Sequence, residues 1–257
     1  MTYRTVGTSP VEWAGRTAAE IGAIADRDGA VAVVPMGSIE THGPHLPVAT
    51  DTILVDAVAI AGAERAAEAD VPVLVTPTAW LGSSPHHMAL GGTLTGDVQT
   101  LQDGLGDVIE ATIDHGFDRV LVVNGHGGNK ALVAGIPRIL GPEHPTVDVR
   151  ACTYFELPEP EDVAAVRESD PGGMGHAGEF ETALMVHLRP ELVDMDAAEP
   201  APSGGDMFGP SSPVAGYGEM GGTGVAGEPQ LATAAAGAQF FEIATAALAD
   251  VIEAMGR

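Results

Sequence analysis

The chain has 257 residues, 45 % of them hydrophobic, with 36 acidic against 11 basic side chains and a formal charge of −25. A surface that acidic repels phosphate backbones and anionic lipids, so nucleic-acid binding and membrane-surface binding are excluded as expected functions. Disorder goes with high charge and low hydrophobicity together, and this chain lacks the second.

Short β-branched runs then alternate with helical stretches. Residues 30–35 (AVAVVP) have the length and composition of a buried strand. Residues 51–69 follow as a helix, with Leu54, Val58 and Ala61 at helical spacing. A second strand covers 71–76, a second helix 97–115 up to Gly116, and a third strand 119–123, stopped by Asn124-Gly125. A short helix over 129–140 contains Pro137, which blurs its end. Residues 146–154 form a fourth strand, 176–188 a fourth helix and 230–255 a terminal one. This order predicts an α/β fold with a largely parallel sheet covered by helices, and one domain over 1–257. The Gly/Pro/Ser-rich stretch 194–229 reads as a substrate-covering lid or an oligomer-contact arm.

Residues 1–16 lack a basic segment followed by an apolar one, so no signal peptide is expected. The apolar stretch 53–63 contains Asp56 and falls short of the about 18 residues a membrane span needs. A cytoplasmic protein is the expectation. Its near absence of lysine (Lys130 alone) beside abundant carboxylates resembles proteins of salt-loving cells. Cys152 is the only cysteine; in its apolar run it reads as a buried small hydrophobe, and no intrachain disulfide is possible.

Three clusters could do chemistry. The first, PMGSIETHGPHLPVATD (35–51), follows a buried strand at the carboxyl edge of the sheet, where open α/β sheets place their ligands. Glu40 and His42 are two apart, so in extended chain they project to one side with Cα atoms roughly 6.5 Å apart. That suits one ligand for each of two metals about 3.5–4 Å apart. Gly43-Pro44 and Pro47 bend the chain so that Asp51 can return, and a carboxylate is a natural bridge between two cations. A solvated polar loop is the competing reading.

The second cluster, VVNGHGGNK (122–130), presents His126 at a strand end among glycines that let the backbone approach a ligand. Two imidazoles and two carboxylates suit Zn²⁺, Mn²⁺ or Fe²⁺. The third, GHAGEFET (175–182), places His176 at or just before a helix and Glu179 and Glu181 in its first turn, where capping and dipole effects also favour acids. His86 and His87 are either substrate contacts or a solvated loop pair.

Four segments, GSIETHGPHLPVATDT (37–52), SPHHMALGGTLTG (84–96), VVNGHGGN (122–129) and GHAGEFETA (175–183), resemble the creatininase family in order and spacing. The resemblance implies a three-layer α/β/α sandwich with two adjacent divalent metals (Zn, Mn or Fe). Glu40 and His126 would bind one, His42 the other, and Asp51 would bridge. His176 would act near the scissile bond as a proton or hydrogen-bond donor. Ser84, His87 and Asn129, within the matching segments, are the expected contacts to a small-molecule substrate. Ring-like hexameric relatives imply a homo-oligomer.

Two features depart from creatininase. There the histidine of the third segment is followed by an aromatic residue and an acidic metal ligand; here these are Gly127 and Gly128. Creatininase also closes over its ring-shaped substrate with tryptophans, whereas this chain has only Trp13 and Trp80. The second metal needs another ligand, for which Glu179 is expected ahead of Glu181, with Glu179 and His176 forming the catalytic pair. The NGHGGN form resembles relatives that deformylate a formamidopyrimidine ribonucleotide, and others that trim a precursor peptide. Hydrolysis of a non-peptide C–N bond by activated water is the expected reaction. Peptide trimming and non-catalytic metabolite binding are the alternatives.

Overall fold

Four short strands, β1 (Val31–Met36), β2 (Val73–Val75), β3 (Arg119–Asn124) and β4 (Asp148–Thr153), pair in parallel in the order β2-β1-β3-β4. The computed structural model describes residues 7–201 and 222–257, so most of the expected lid or arm lies outside the described residues. The central strands β1 (VAVVPM) and β3 (RVLVVN) are almost wholly buried, which explains their near-continuous apolar sequences.

Seven helices cover the sheet among the described residues: α1 (Ala18–Ala25), α2 (Thr50–Glu68), α3 (Val98–Asp114), α4 (Lys130–Leu140), α5 (Pro160–Ala164), α6 (Glu179–Leu188) and α7 (Ala234–Gly256). Successive strand side chains point to opposite faces and so divide the core in two. Val31, Val33, Val73, Val75, Leu121 and Val123 pack with α2, α6 and α7. Ala32, Val34, Leu74, Val120 and Val122 pack with α3, α4 and the apolar side of α1. The result is the three-layer α/β/α sandwich that the resemblance implied.

Several details differ from the sequence reading, among them the short α5, which was not expected. The helix α1 was not expected, although Thr17 and Glu20 form a capping box at its start. The strand β2 is only three residues long. Helix α6 begins at Glu179 rather than His176, because Ala177 takes a left-handed φ of 51° and breaks the helical path. That leaves His176 in the turn ahead of the helix.

Helix α7, with 23 residues and a mean hydropathy of 1.3, is long and apolar enough to cross a membrane by length and composition. Its Phe240, Ala244, Leu248 and Ile252 are instead buried in the core it shares with α2 and α6. Close approach at Gly237 makes this packing tight: a Cβ there would run into the Ala183 carbonyl of α6.

Cys152 is partly buried on β4, and burial pushes its thiol up to about 12. The thiolate is the reactive form. Native protein should therefore resist iodoacetamide at pH 8 and label fully only when unfolded; rapid native labelling would contradict the packing.

Candidate metal centre

The register of β1 and β3 puts Met36 beside Asn124, so the loops that leave both strands emerge together. One carries Glu40 and His42, the other His126. Asp51 enters from the first turn of α2, buried at 2 % exposure. Gly125 allows this convergence, since a Cβ there would lie 2.6 Å from Val55 Cβ and 3.1 Å from the Asp51 carbonyl oxygen.

The carboxylate of Asp51 sits between two imidazoles. Its Oδ1 is 3.1 Å from His42 Nε2, and its Oδ2 is 3.0 Å from His126 Nδ1. Glu40 Oε1 lies 3.2 Å from the same His126 nitrogen, 3.4 Å from His176 Nδ1 and 3.5 Å from His87 Nε2. Glu181 Oε2 approaches His42 Nε2 at 3.8 Å. Sets of ligating atoms within 4.8 Å of one another include Glu40–His42–Asp51, Glu40–His86–His126, Glu40–His87–His176 and His42–His176–Glu181.

These residues fit divalent metals. Both oxygens of Glu40 and Oδ2 of Asp51 are buried and meet no donor in hydrogen-bond geometry, although imidazoles surround them. Buried acceptors left so are costly unless a cation satisfies them. Donors that share an ion at about 2.1 Å stand roughly 3.0–3.5 Å apart at tetrahedral or octahedral angles, close to the spacings found around Asp51.

A family model described as creatinine amidohydrolase matches residues 14–252. A mycofactocin precursor peptide peptidase of Mycobacterium tuberculosis is 32 % identical over 223 residues, covering 81 % of this chain and 79 % of that protein. Creatinine amidohydrolase of Pseudomonas putida is 32 % identical over 183 residues, covering 65 % and 67 %. A crystal structure of creatininase superposes with a TM-score of 0.82 at 26 % identity, over 96 % of this chain and 97 % of the other. The chain belongs to the creatininase family. It is thereby a metal-dependent hydrolase of the amidohydrolase class.

Within this creatininase-family frame, Glu181 and not Glu179 faces the cluster. Both oxygens of Glu179 turn away, accepting the backbone N–H of Glu168 at 2.8 Å and of Ser169 at 2.9 Å. Positions 179 and 181 point to different sides of the helix, so only one can reach His42. This corrects the expected catalytic and metal-binding role of Glu179. Gly128, where creatininase has its acidic ligand, has no room for a side chain: a Cβ would collide with the Ser83 carbonyl and the His126 ring.

Two expected substrate contacts are also reassigned. Ser84 is fully buried, with its hydroxyl 3.1 Å from His126 Nε2 and 2.6 Å from Ser38 Oγ. It holds the back of the His126 ring, as partners behind metal-ligating histidines do. Asn129 is fully buried as well; it accepts from Ser83 N–H and donates to the Gly37 carbonyl, tying two site loops together. His87 lies inside the cluster, its ring 4.4 Å from that of His176. The sequence left His86 and His87 as substrate contacts or a solvated loop pair, with His87 named as a contact; the juxtaposition of His86 with His126 was missed.

The electrostatics show what the metal-free cluster demands. Burial opposes charge on His42, but Asp51 overcomes it and, with Glu181 and Glu40, raises the imidazole to about 10. His126 is likewise raised despite burial, by Glu40 and Asp51. Protonated imidazoles thus occupy the place that cations suit. Burial raises Glu181 to about 7, helped by Asp51 and Glu40 against His42.

Both His42 and Glu181 have folded values above their unfolded ones, so stability they supply at low pH is lost as pH rises. The window runs from about 4.5 to 7 for Glu181 and from 6.5 to about 10 for His42. Metal-free protein should therefore lose urea stability between pH 7 and 10, while metal-loaded protein keeps it. Parallel curves for the two forms would contradict this reading.

Proposed function

We propose that this chain hydrolyses an amide C–N bond at a site where Asp51 would serve two divalent ions, acting on a small cyclic amide, a formamide or a short peptide. The observation that carries it is the Asp51 carboxylate, with one oxygen turned to His42 and the other to His126. Glu40, Asp51 and His126 would hold one ion; His42, Asp51 and Glu181 would hold the other. Nitrogen and oxygen donors of this kind suit Zn²⁺, Mn²⁺ or Fe²⁺, and solved creatininases include a Mn form and a Zn–Zn form. When bound, such ions lower the pKa of water and polarise the scissile carbonyl.

His176 handles the proton. Its Nε2–H donates to the Thr41 carbonyl at 2.8 Å, which leaves the Nδ1 lone pair facing the cluster. Burial and the neighbouring His42 push it down to about 4. It is therefore neutral at pH 7, accepting a proton from the attacking water before returning it to the leaving amine. The expected donor role becomes the second half of a shuttle.

For substrate, creatinine-like cyclic amides and formamidopyrimidine ribonucleotides satisfy this chemistry. Peptide trimming is the second reading, favoured by the longer match to the mycobacterial peptidase at equal identity. The decisive assay strips the protein with chelator and reloads it with Mn²⁺, Zn²⁺ or Fe²⁺ in high salt. Creatinine, a formamidopyrimidine ribonucleotide and a short peptide are then offered separately. Turnover of one class that requires added metal is the expected result; turnover that survives chelation would refute the mechanism.

A further inference from the structure

The loop that carries His86 is pinned to the loop that carries His126. Asn129 Oδ1 accepts Ser83 N–H at 2.9 Å, and the Ser84 hydroxyl stands 3.1 Å from His126 Nε2 while Ser84 N–H donates to Thr95 Oγ1 at 2.9 Å. Pro85 then opens a 3₁₀ turn over Pro85–Leu90, its ring fixing the backbone at the first position. His86, the second residue of that turn, is held over His126. The two rings are parallel to within 4°, with centroids 5.8 Å apart.

A glycine makes room for this ring. A Cβ at Gly128 would stand 3.0 Å from His86 Cε1, so the imidazole edge fills the space beside the position where creatininase has its acidic ligand. A nitrogen of His86, an oxygen of Glu40 and a nitrogen of His126 all lie within 4.8 Å of one another. Donors on opposite sides of one ion at about 2.1 Å stand about 4.2 Å apart, so this set is close to what a shared ion requires. Burial holds the His86 imidazole below its ordinary value, and His126 adds to that against Glu40 and Asp51. A neutral ring therefore offers its lone pair, as a metal ligand must.

We infer that His86 is a further ligand, beside Glu40, Asp51 and His126, to one of the two ions, an inference that rests on the two-ion reading above. The two histidines of the turn then divide the work: His86 lies against His126, and His87 against His176. The two ion positions become chemically unequal. Two imidazoles and two carboxylates hold one ion, whereas one imidazole and two carboxylates hold the other. Imidazole suits zinc and iron, and carboxylate suits manganese. The position at His86 therefore selects Zn²⁺ over Mn²⁺, and the position at Glu181 discriminates less.

Metal titration of the stripped full chain against a chromophoric chelator, with no substrate present, tests this. Wild type should take two zinc ions with different affinities. His86→Ala should weaken one of them at least about tenfold, with a smaller loss for Mn²⁺ than for Zn²⁺. His86→Gly should regain most of its zinc affinity when free imidazole is added, a rescue that neither a substrate contact nor a packing role would give. Unchanged zinc affinity in His86→Ala, equal losses for both ions, or a His86→Gly protein that imidazole does not restore would each overturn the inference. In those cases two ions in the wild type would leave the two-ion reading standing. A wild type that takes up no zinc would remove both together.

Discussion

Replacing Asp51 by Asn should abolish metal-dependent turnover while leaving the fold intact. The substitution keeps the shape of the side chain and removes its charge. An amide also offers one acceptor oxygen where the carboxylate offers two, so it cannot serve His42 and His126 as the two-sided partner that Asp51 is. Metal chemistry contributes several kcal/mol to such hydrolyses, so a loss on the order of 10³-fold or more in kcat is expected, about 4 kcal/mol. A thermal readout accompanies it. A metal held at a hundred times its Kd stabilises by about 2.7 kcal/mol, which is roughly 5–10 °C of Tm for a domain of this size. Wild type should show that rise on adding metal, and Asp51→Asn should show little of it. An Asp51→Asn enzyme with wild-type kcat and a full metal-dependent rise would remove the bridge from the account.

The second large effect separates two neighbouring acids. Glu181→Gln should lose one metal equivalent and most activity, yet melt close to wild type when metal-free. Burial already holds Glu181 up near 7, so at neutral pH its uncharged form is well populated and Gln imitates it. Glu179→Gln should do the reverse. Its carboxylate accepts two backbone N–H groups, that of buried Ser169 and the part-buried one of Glu168, and an amide can serve only one of them while turning an NH₂ toward the other. The misplaced donor costs about 1–3 kcal/mol, several degrees of Tm, with metal content retained. Metal analysis beside melting curves reads both effects at once. Loss of metal in Glu179→Gln and retention in Glu181→Gln would restore the assignment the sequence suggested.

That pair also shows where the sequence stops being legible. Strand and helix positions could be read because their signals are local: β1 and β3 are short continuous apolar runs, and α2 repeats Leu54, Val58 and Ala61 at helical spacing. The placement of Glu40, His42, Asp51 and His126 at one sheet edge followed from motifs that come directly after buried strands. The choice between Glu179 and Glu181 depended on where α6 begins, and that is set by the left-handed turn at Ala177. Alanine gives no signal for such a conformation. The reassignment of Ser84 and Asn129 has a similar cause, since their polar atoms are consumed by His126, Ser83 and Gly37, contacts made between loops far apart in the chain. Polar residues in a matching motif look alike whether they face the cleft or support it. The missed α1 is a weaker case: its capping box was present in the sequence, but the helix behind it is short and rich in alanine.

Anomalous diffraction from crystals grown with Mn²⁺, recorded at the manganese edge, tests the central claim most directly. Two peaks about 3.5–4 Å apart, with the carboxylate of Asp51 between them, His126 beside one and His42 and Glu181 beside the other, is the predicted result. A single peak, or density that leaves Asp51 in contact with no metal, would contradict it.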